Sequence, residues 1–331
     1  MKKLIKIISF GLFCVLCATR VNAQIDPHFS QYYSNPLWLN PGLTGVINGD
    51  YRVVLNAKEQ WSSISNSYLT AAASFDIAPT KNLSFGGMVL NQGAGELSYS
   101  YLNALASAAY RIRFGQVGLN IINFGIQAGV INKSFDPSKI TTGSQFNAGS
   151  GYDMAFPSNE TFTSSNTLAP DVNVGAMYFD ANENKNVNIF LGMSGNHLTK
   201  PVDHFLGNNV RIPIRVTAHG GARIKVSDAL DLTPNGLYMR QGTAREISAG
   251  AYAQFYVNPD TDLLFGSNYR HEDASIVYIG VHLKNIAFGA SYDFNTSSLS
   301  RATGSKGGLE LSVSFTSRKG IAGPNFFCPR L

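Results

Sequence analysis

The chain has 331 residues, of which 44% are hydrophobic and only 14% charged, with 32 Gly, 15 Tyr and 21 Phe. An ordinary soluble domain carries about a quarter charged residues, so this balance argues against two soluble domains and for one large β-barrel. The formal charge is +5, but Lys2, Lys3, Lys6 and Arg20 fall within the first 23 residues; the rest is nearly neutral and has no electrostatic motive to bind nucleic acid.

MKKLIK forms a basic start, IISFGLFCVLCA an apolar core, and Val21-Asn22-Ala23 a small-residue end. Residues 1–23 therefore read as a signal peptide cut before Gln24. Cys17 allows a lipoprotein reading, against which stands the bulky Leu16 before it. Cys14 and Cys17 leave with the leader, so Cys328 remains alone and no internal disulfide is expected. Beyond the leader no apolar run reaches the 18 or so residues that a spanning helix needs. Any membrane insertion must use strands closed into a barrel.

Residues 24–50 follow, with DPHFSQYYSNPLWLNPGLTG at their centre and no helical or alternating period. Pro27, Pro36 and Pro41 lock φ and lack amide donors. Asp26, Asn35 and Asn40 before them are pushed toward extended conformations and favour local side-chain turns. Phe29, Tyr32, Tyr33, Leu37 and Trp38 supply anchors. The segment reads as a rigid plug on the periplasmic side of the first strand, hanging free or folded up into the barrel.

From Tyr51 the chain breaks into alternating segments separated by turn formers. Fourteen antiparallel strands are predicted, at about 51–60, 67–77, 82–91, 98–112, 115–131, 171–180, 187–196, 211–226, 230–240, 245–257, 261–270, 275–284, 285–295 and 307–317. In AREISAGAYAQFYVNPD, Ile247, Ala249, Ala251, Ala253, Phe255 and Val257 share one face, and Glu246, Ser248, Gly250, Tyr252, Gln254 and Tyr256 the other. The even count places residues 51 and 317 on one side, expected to be periplasmic. The short connections fall on that side, and the long ones, 132–170 and 195–210, on the outside. The tail 318–331 would hang in the periplasm. Arg52, Glu96, Arg111, Arg113, Arg215, Arg223, Arg240, Arg245, Glu246 and Glu310 are expected to point into a lumen that is either an open pore or a packed polar core.

No catalytic, cofactor-binding or metal-ligating constellation is expected. His28, His197, His204, His219, His271 and His282 form no HExxH pair, and neither GxSxG nor CxxC occurs. Ser194, His197, Asp203 and His204 lie close in sequence, which makes an outer-membrane hydrolase conceivable, but a triad is recognised by geometry and not by spacing.

DPHFSQYYSNPLWLNPGLTG followed by Glu59-Gln60-Trp61 resembles the N-terminal signature of the PorP/SprF family of Bacteroidetes outer-membrane proteins, associated with type IX secretion and gliding. Asp26, Pro27, Gln31, Tyr32, Asn35, Pro36, Asn40, Pro41, Gly45, Gln60 and Trp61 match that pattern. The resemblance continues through GAGELS, GIQAGVINKSFDPSKI, SGNHLTKP, GASYDFNTSSL, GGLELSVSF and the terminal CPRL, while Lys58-Glu59 stands where the family commonly has Arg-Asn. It implies a non-enzymatic outer-membrane component that serves translocation or surface attachment of proteins with a C-terminal sorting domain. The implied partners are such a secreted protein, periplasmic ring and lipoprotein components, and outer-membrane lipid. His197, Pro201, Cys328, Pro329 and Arg330 are the expected contacts. The alternative is a transport barrel, porin-like or a channel for hydrophobic solutes.

Overall fold

The computed structural model describes residues 26–62, 67–94, 99–115, 119–139, 142–153, 155–159, 165–182, 184–204 and 210–317. Fourteen strands close into one antiparallel barrel: β1 Tyr51–Gln60, β2 Tyr68–Ile77, β3 Leu83–Ala94, β4 Tyr99–Phe114, β5 Asn120–Phe135, β6 Asn166–Asp180, β7 Val187–Asn196, β8 Arg215–Ser227, β9 Leu230–Gln241, β10 Ala244–Asn258, β11 Thr261–Arg270, β12 Ala274–Leu283, β13 Ile286–Asn295 and β14 Lys306–Ser317. The barrel closes where β1 pairs with β14, from Tyr51 opposite Ser317 to Gln60 opposite Gly308. No described helix is long and apolar enough to cross a membrane.

Alternation decides which face each side chain takes. Leu55, Ile126, Leu191, Met193 and Leu311 are more than half exposed on the outer face, while Asn56, Gln127, Thr217, Ser248 and Glu310 are buried inside. An uninterrupted apolar belt of this kind is stable only against lipid. Aromatic rings edge it at both ends. Tyr51 packs against Phe75 and Phe315 near one rim, and Tyr292 against Phe294 near the other.

The connections are short at the rim holding residues 51 and 317, and the longest ones, residues 136–165 and 197–214, lie at the opposite rim, which also carries short turns such as 242–243. Several strand ends differ from expectation by a few residues, and proline bears on two of them. Pro213 cannot donate to a ladder, so β8 starts at Arg215 and not at 211, and Val210–Arg211 pairs instead with Val202–Asp203 in a small ribbon. Pro170 by contrast lies inside β6, whose pairing with β7 begins only at Val174, so no ladder partner needs its amide.

Arg240 and Arg245 correct the expected lumenal set. Asp231, Thr233, Asn235, Leu237 and Gln241 are the buried positions of β9, which puts Arg240 on the outer face; in β10 Arg245 shares the exposed phase of Ile247. Glu96 lies outside the described residues.

Candidate functional site

The lumen holds residues 26–47, nearly all of them buried. Of the two expected placements the segment takes the second, folded up into the barrel, and it spans the lumen from end to end. Asp26 sits at the long-loop end among His197, Arg215 and Gln241, and Asp50 meets Ser317 at the short-turn end. Among the described residues the two ends of the chain therefore lie at opposite rims, because the segment descends through the whole lumen before turning into β1.

Its geometry follows from its prolines and amides. Gln31 precedes a 3₁₀ turn Tyr32–Ser34, Pro36 opens a single helical turn Pro36–Leu39, and Pro41 opens a second 3₁₀ turn Pro41–Leu43. Proline suits a first helical position, where an amide would lack a partner. Asn40 caps the last turn, its Oδ1 accepting from Gly42 N at 2.8 Å, and its Nδ2 donates to Ala176 O at 3.0 Å. Asn35 is buried, and its carbonyl accepts from the amides of Trp38 and Leu39.

The Asn40-Pro41-Gly42 turn lies directly on barrel backbone. A Cβ at Gly125 would stand 2.0 Å from Pro41 O, and one at Gly175 2.0 Å from Asn40 Oδ1, so only glycine fits on β5 and β6 there. Asn123 Nδ2 donates to Gly42 O at 2.8 Å and Thr44 O at 2.9 Å, Gln127 Nε2 to Leu37 O at 2.9 Å, and Ser194 Oγ to Leu39 O at 3.1 Å. Gly45, at φ +70°, turns the chain toward the short-turn rim. Its amide donates to Asp76 Oδ2 at 2.8 Å, Arg111 donates to its carbonyl, and Arg52 binds Asp76 through both Nε and Nη2, at 3.0 and 2.9 Å.

The other half of the segment is held by charge. Asp26 Oδ2 accepts from Arg215 Nη1 at 2.9 Å and from His197 Nε2 at 2.7 Å, and His197 Nδ1 donates to Asp171 Oδ1 at 3.0 Å. Arg215 also lies 4.3 Å from the Trp38 ring centroid, and Trp38 Nε1 donates to Pro27 O at 3.0 Å. His197 lies just beyond β7. Burial alone would lower its pKa, but the Asp26 and Asp171 carboxylates outweigh this and push it up to about 9. Burial likewise opposes ionisation of Asp26, and His197 and Arg215 reverse the balance and hold it well below the usual carboxylate range. A second cluster grips the next residues. Ser30 Oγ donates to Asp293 Oδ2 at 2.7 Å beside Lys58 and Arg270, while the amides of Ser30 and Gln31 donate to Glu310 at 2.6 and 3.2 Å. Gln31 Nε2 reaches Ser291 Oγ at 3.2 Å, and the Tyr32 hydroxyl donates to Asn235.

Above Asp26 a cavity of about 870 Å³ opens at the long-loop rim, walled by Gln60, Trp61, Tyr68, Glu246, Arg270 and others. Trp61, at φ +62°, leaves β1 in a left-handed turn and packs edge-on against Tyr68 at 5.0 Å. A smaller space of about 70 Å³ lies between Tyr32, Tyr33 and the wall residues Tyr252, Leu264, Ile276 and Tyr278.

The structure thus brings together Asp26, Pro27, Gln31, Tyr32, Asn35, Pro36, Asn40, Pro41 and Gly45, with Gln60 and Trp61 at the mouth above them. His197 is 1% exposed and Pro201 is buried, which corrects their expected role as partner contacts: the first binds the segment, and the second accepts from Ile212 N within its loop. Cys328, Pro329 and Arg330 lie outside the described residues. The residues of the conceivable hydrolase are separately engaged, Ser194 with Leu39 O and Asp203 with Lys133 at 2.7 Å. Asp171, Asp293, Gly125 and Gly175 escaped sequence reasoning. The glycines interrupting the alternating strands in GIQAG and VNVGAM were the one available signal.

A closed antiparallel barrel of fourteen strands, belted with apolar side chains and carrying ion pairs inside, is an outer-membrane β-barrel protein. The chain belongs to the family described as type IX secretion system membrane protein PorP/SprF, which matches residues 21–315. No curated protein matches it. Among solved structures the fold is similar to the Ralstonia pickettii toluene transporter TbuX, with 12% identity, TM-score 0.54, and coverage of 85% of this chain and 92% of that one. It is also similar to a TodX deltaS2S3 mutant monoaromatic hydrocarbon channel, with 10% identity, TM-score 0.51 and coverage of 85% and 94%, and to the CymD monoaromatic hydrocarbon channel, with 12%, 0.50, 89% and 95%. At such identities the likeness concerns the fold alone.

Proposed function

We propose that this protein serves type IX secretion by protein–protein contact, as a barrel whose lumen residues 26–47 close as a plug. In this reading residues 1–23 are a signal peptide, residues 24–50 the plug, residues 51–317 the barrel and residues 318–331 a tail. The short-turn rim and the tail, with Cys328, Pro329 and Arg330, face the periplasm and its ring or lipoprotein partners. The long-loop rim faces outward and receives a secreted protein with a C-terminal sorting domain.

The observation that carries the reading is the filled lumen. Segment side chains and carbonyls are bonded to walls on all sides, from Asn123 and Ser194 to Asn235 and Glu310, and an occupied interior suits a docking body better than a conduit. A transport barrel is the second reading, favoured by the cavity of about 870 Å³ and by the similarity in fold to a toluene transporter and a monoaromatic hydrocarbon channel. Affinity purification of the tagged protein from outer membranes in gentle detergent, followed by mass spectrometry, distinguishes the two. Recovery of a large secreted protein or of ring and lipoprotein components is expected; a protein that purifies alone and conducts ions steadily in planar bilayers would overturn the docking role.

A further inference from the structure

At the long-loop rim the outer face of β9 and β10 ends in two arginines. The register sets Arg240 directly opposite Arg245, one step above Tyr238 and Ile247, each 40% exposed in the lipid-facing belt. Like charges facing each other across an antiparallel pair, with Cβ atoms about 5 Å apart, repel. The Gly242-Thr243 turn joining the strands is too short to let the pair drift apart.

Among the described residues neither guanidinium has a carboxylate at ion-pair distance. Arg240 Nε donates to Gly242 O at 3.3 Å, Glu272 on the next turn lies 3.7 Å from His271, and Asp273 is held by Arg270 at 2.5 Å. On the β8 side Arg240 faces Val216. The exposed Arg211 precedes by two residues Pro213, which borders Gly242, and adds a third positive charge to this part of the rim.

We propose that Arg240 and Arg245 clamp the phosphate of a lipid headgroup in the leaflet bordering the long-loop rim. The planar guanidinium fork matches phosphate oxygens two at a time, and one phosphate bridging both forks turns their repulsion into attraction. The alkyl stems lie along the apolar belt while the heads reach headgroup level, the arrangement long cations adopt at an interface. Both arginines also border the cavity at the long-loop rim, but they continue the exposed face of Tyr238 and Ile247, which favours a membrane lipid over a soluble anion. The proposal rests on the barrel geometry and not on the secretion role, so either can fail without the other.

The test uses the full protein in non-ionic detergent, titrated with mixed micelles containing a bis-phosphorylated lipid A, with the same lipid after dephosphorylation, and with inorganic phosphate, bound lipid being counted by native mass spectrometry. Wild type is expected to hold the phosphorylated lipid, and R240Q/R245Q to bind it at least about tenfold more weakly, whereas K81Q at the opposite rim leaves binding unchanged. R240E supplies an internal partner for Arg245, so it should lose the lipid while raising the unfolding temperature, which separates lost binding from lost folding. Equal binding by folded R240Q/R245Q, equal binding of the dephosphorylated lipid, or displacement of the lipid by equimolar inorganic phosphate would each overturn the assignment.

Discussion

The two halves of the lumenal segment are held by different physics. Residues 39–44 are seated mainly by shape: glycines on β5 and β6 let the Asn40-Pro41-Gly42 turn touch backbone, and neutral amides from Asn123 and, at Leu37, Gln127 close over it, with the Arg52–Asp76–Arg111 group taking over only at Gly45. Residues 26–31 are seated by charge, through Asp26, His197 and Arg215 at one side and Ser30, Asp293, Lys58 and Glu310 at the other. Close packing answers to volume and hardly to solvent conditions. Buried ion pairs answer to protonation and to loss of a partner. The segment therefore has one permanent seat and one that solution conditions can release, and the releasable seat is the one beneath the long-loop cavity.

The largest expected effect breaks the permanent seat. Gly175→Val and Gly125→Val each place side-chain atoms inside Asn40 or Pro41, at a cost of about 3 kcal/mol or more. Limited proteolysis should then cut within 26–47 in the folded barrel; continued resistance would refute backbone-to-backbone seating. Asp26→Ala comes next. It strands Arg215 and His197 without their shared carboxylate, a loss of about 3–5 kcal/mol. Hydrogen exchange should rise at residues 28–34 while 40–44 stay protected, and equal acceleration in both stretches would erase the distinction between the halves.

The charged seat also carries a pH signature. His197 is raised from 6.5 to about 9, so its contribution is complete below pH 6.5 and disappears as pH climbs through about 9. Asp26 is shifted downward, so its contribution is complete above its ordinary 3.8 and is lost only in strong acid. Hold on residues 26–31 should thus be firmest between about pH 4 and 6.5 and loosen above about 9. Exchange rates for residues 28–34 measured from pH 6 to 10 check this, and a profile identical in His197→Gln would sink it. Asn40→Ala removes the cap on Gly42 and a bond to Ala176 O, worth about 1–2 kcal/mol in urea unfolding. Gly143→Ala is the smallest change. A Cβ there meets nothing within 4 Å, and stability should move by less than about 0.5 kcal/mol.

Barrel, strand number and the irregular segment were legible because each depends on local pattern. Period-two alternation reports which face is wet, and three X-Pro pairs confine residues 26–41 to single short turns. Arg245 shares the phase of Ile247 in the sequence itself, so its outward position was legible. That of Arg240 was not, because only the burial of Leu237 and Gln241 decides it. Nor was the partner of His197, since spacing suggested a loop surface while Asp26, 171 residues away, draws the ring inward.

Chain order alone therefore determined a barrel of fourteen strands, an irregular segment before it and family membership, all of which rest on neighbours in sequence. Only the folded barrel decided that the segment enters from the long-loop end, which carboxylate meets which cation, and which glycines receive the Asn40-Pro41 turn. These contacts join residues up to 281 positions apart, and no local propensity encodes them: closing the sheet brings distant strands to one lumen, where every buried polar group must find a partner or leave its desolvation uncompensated.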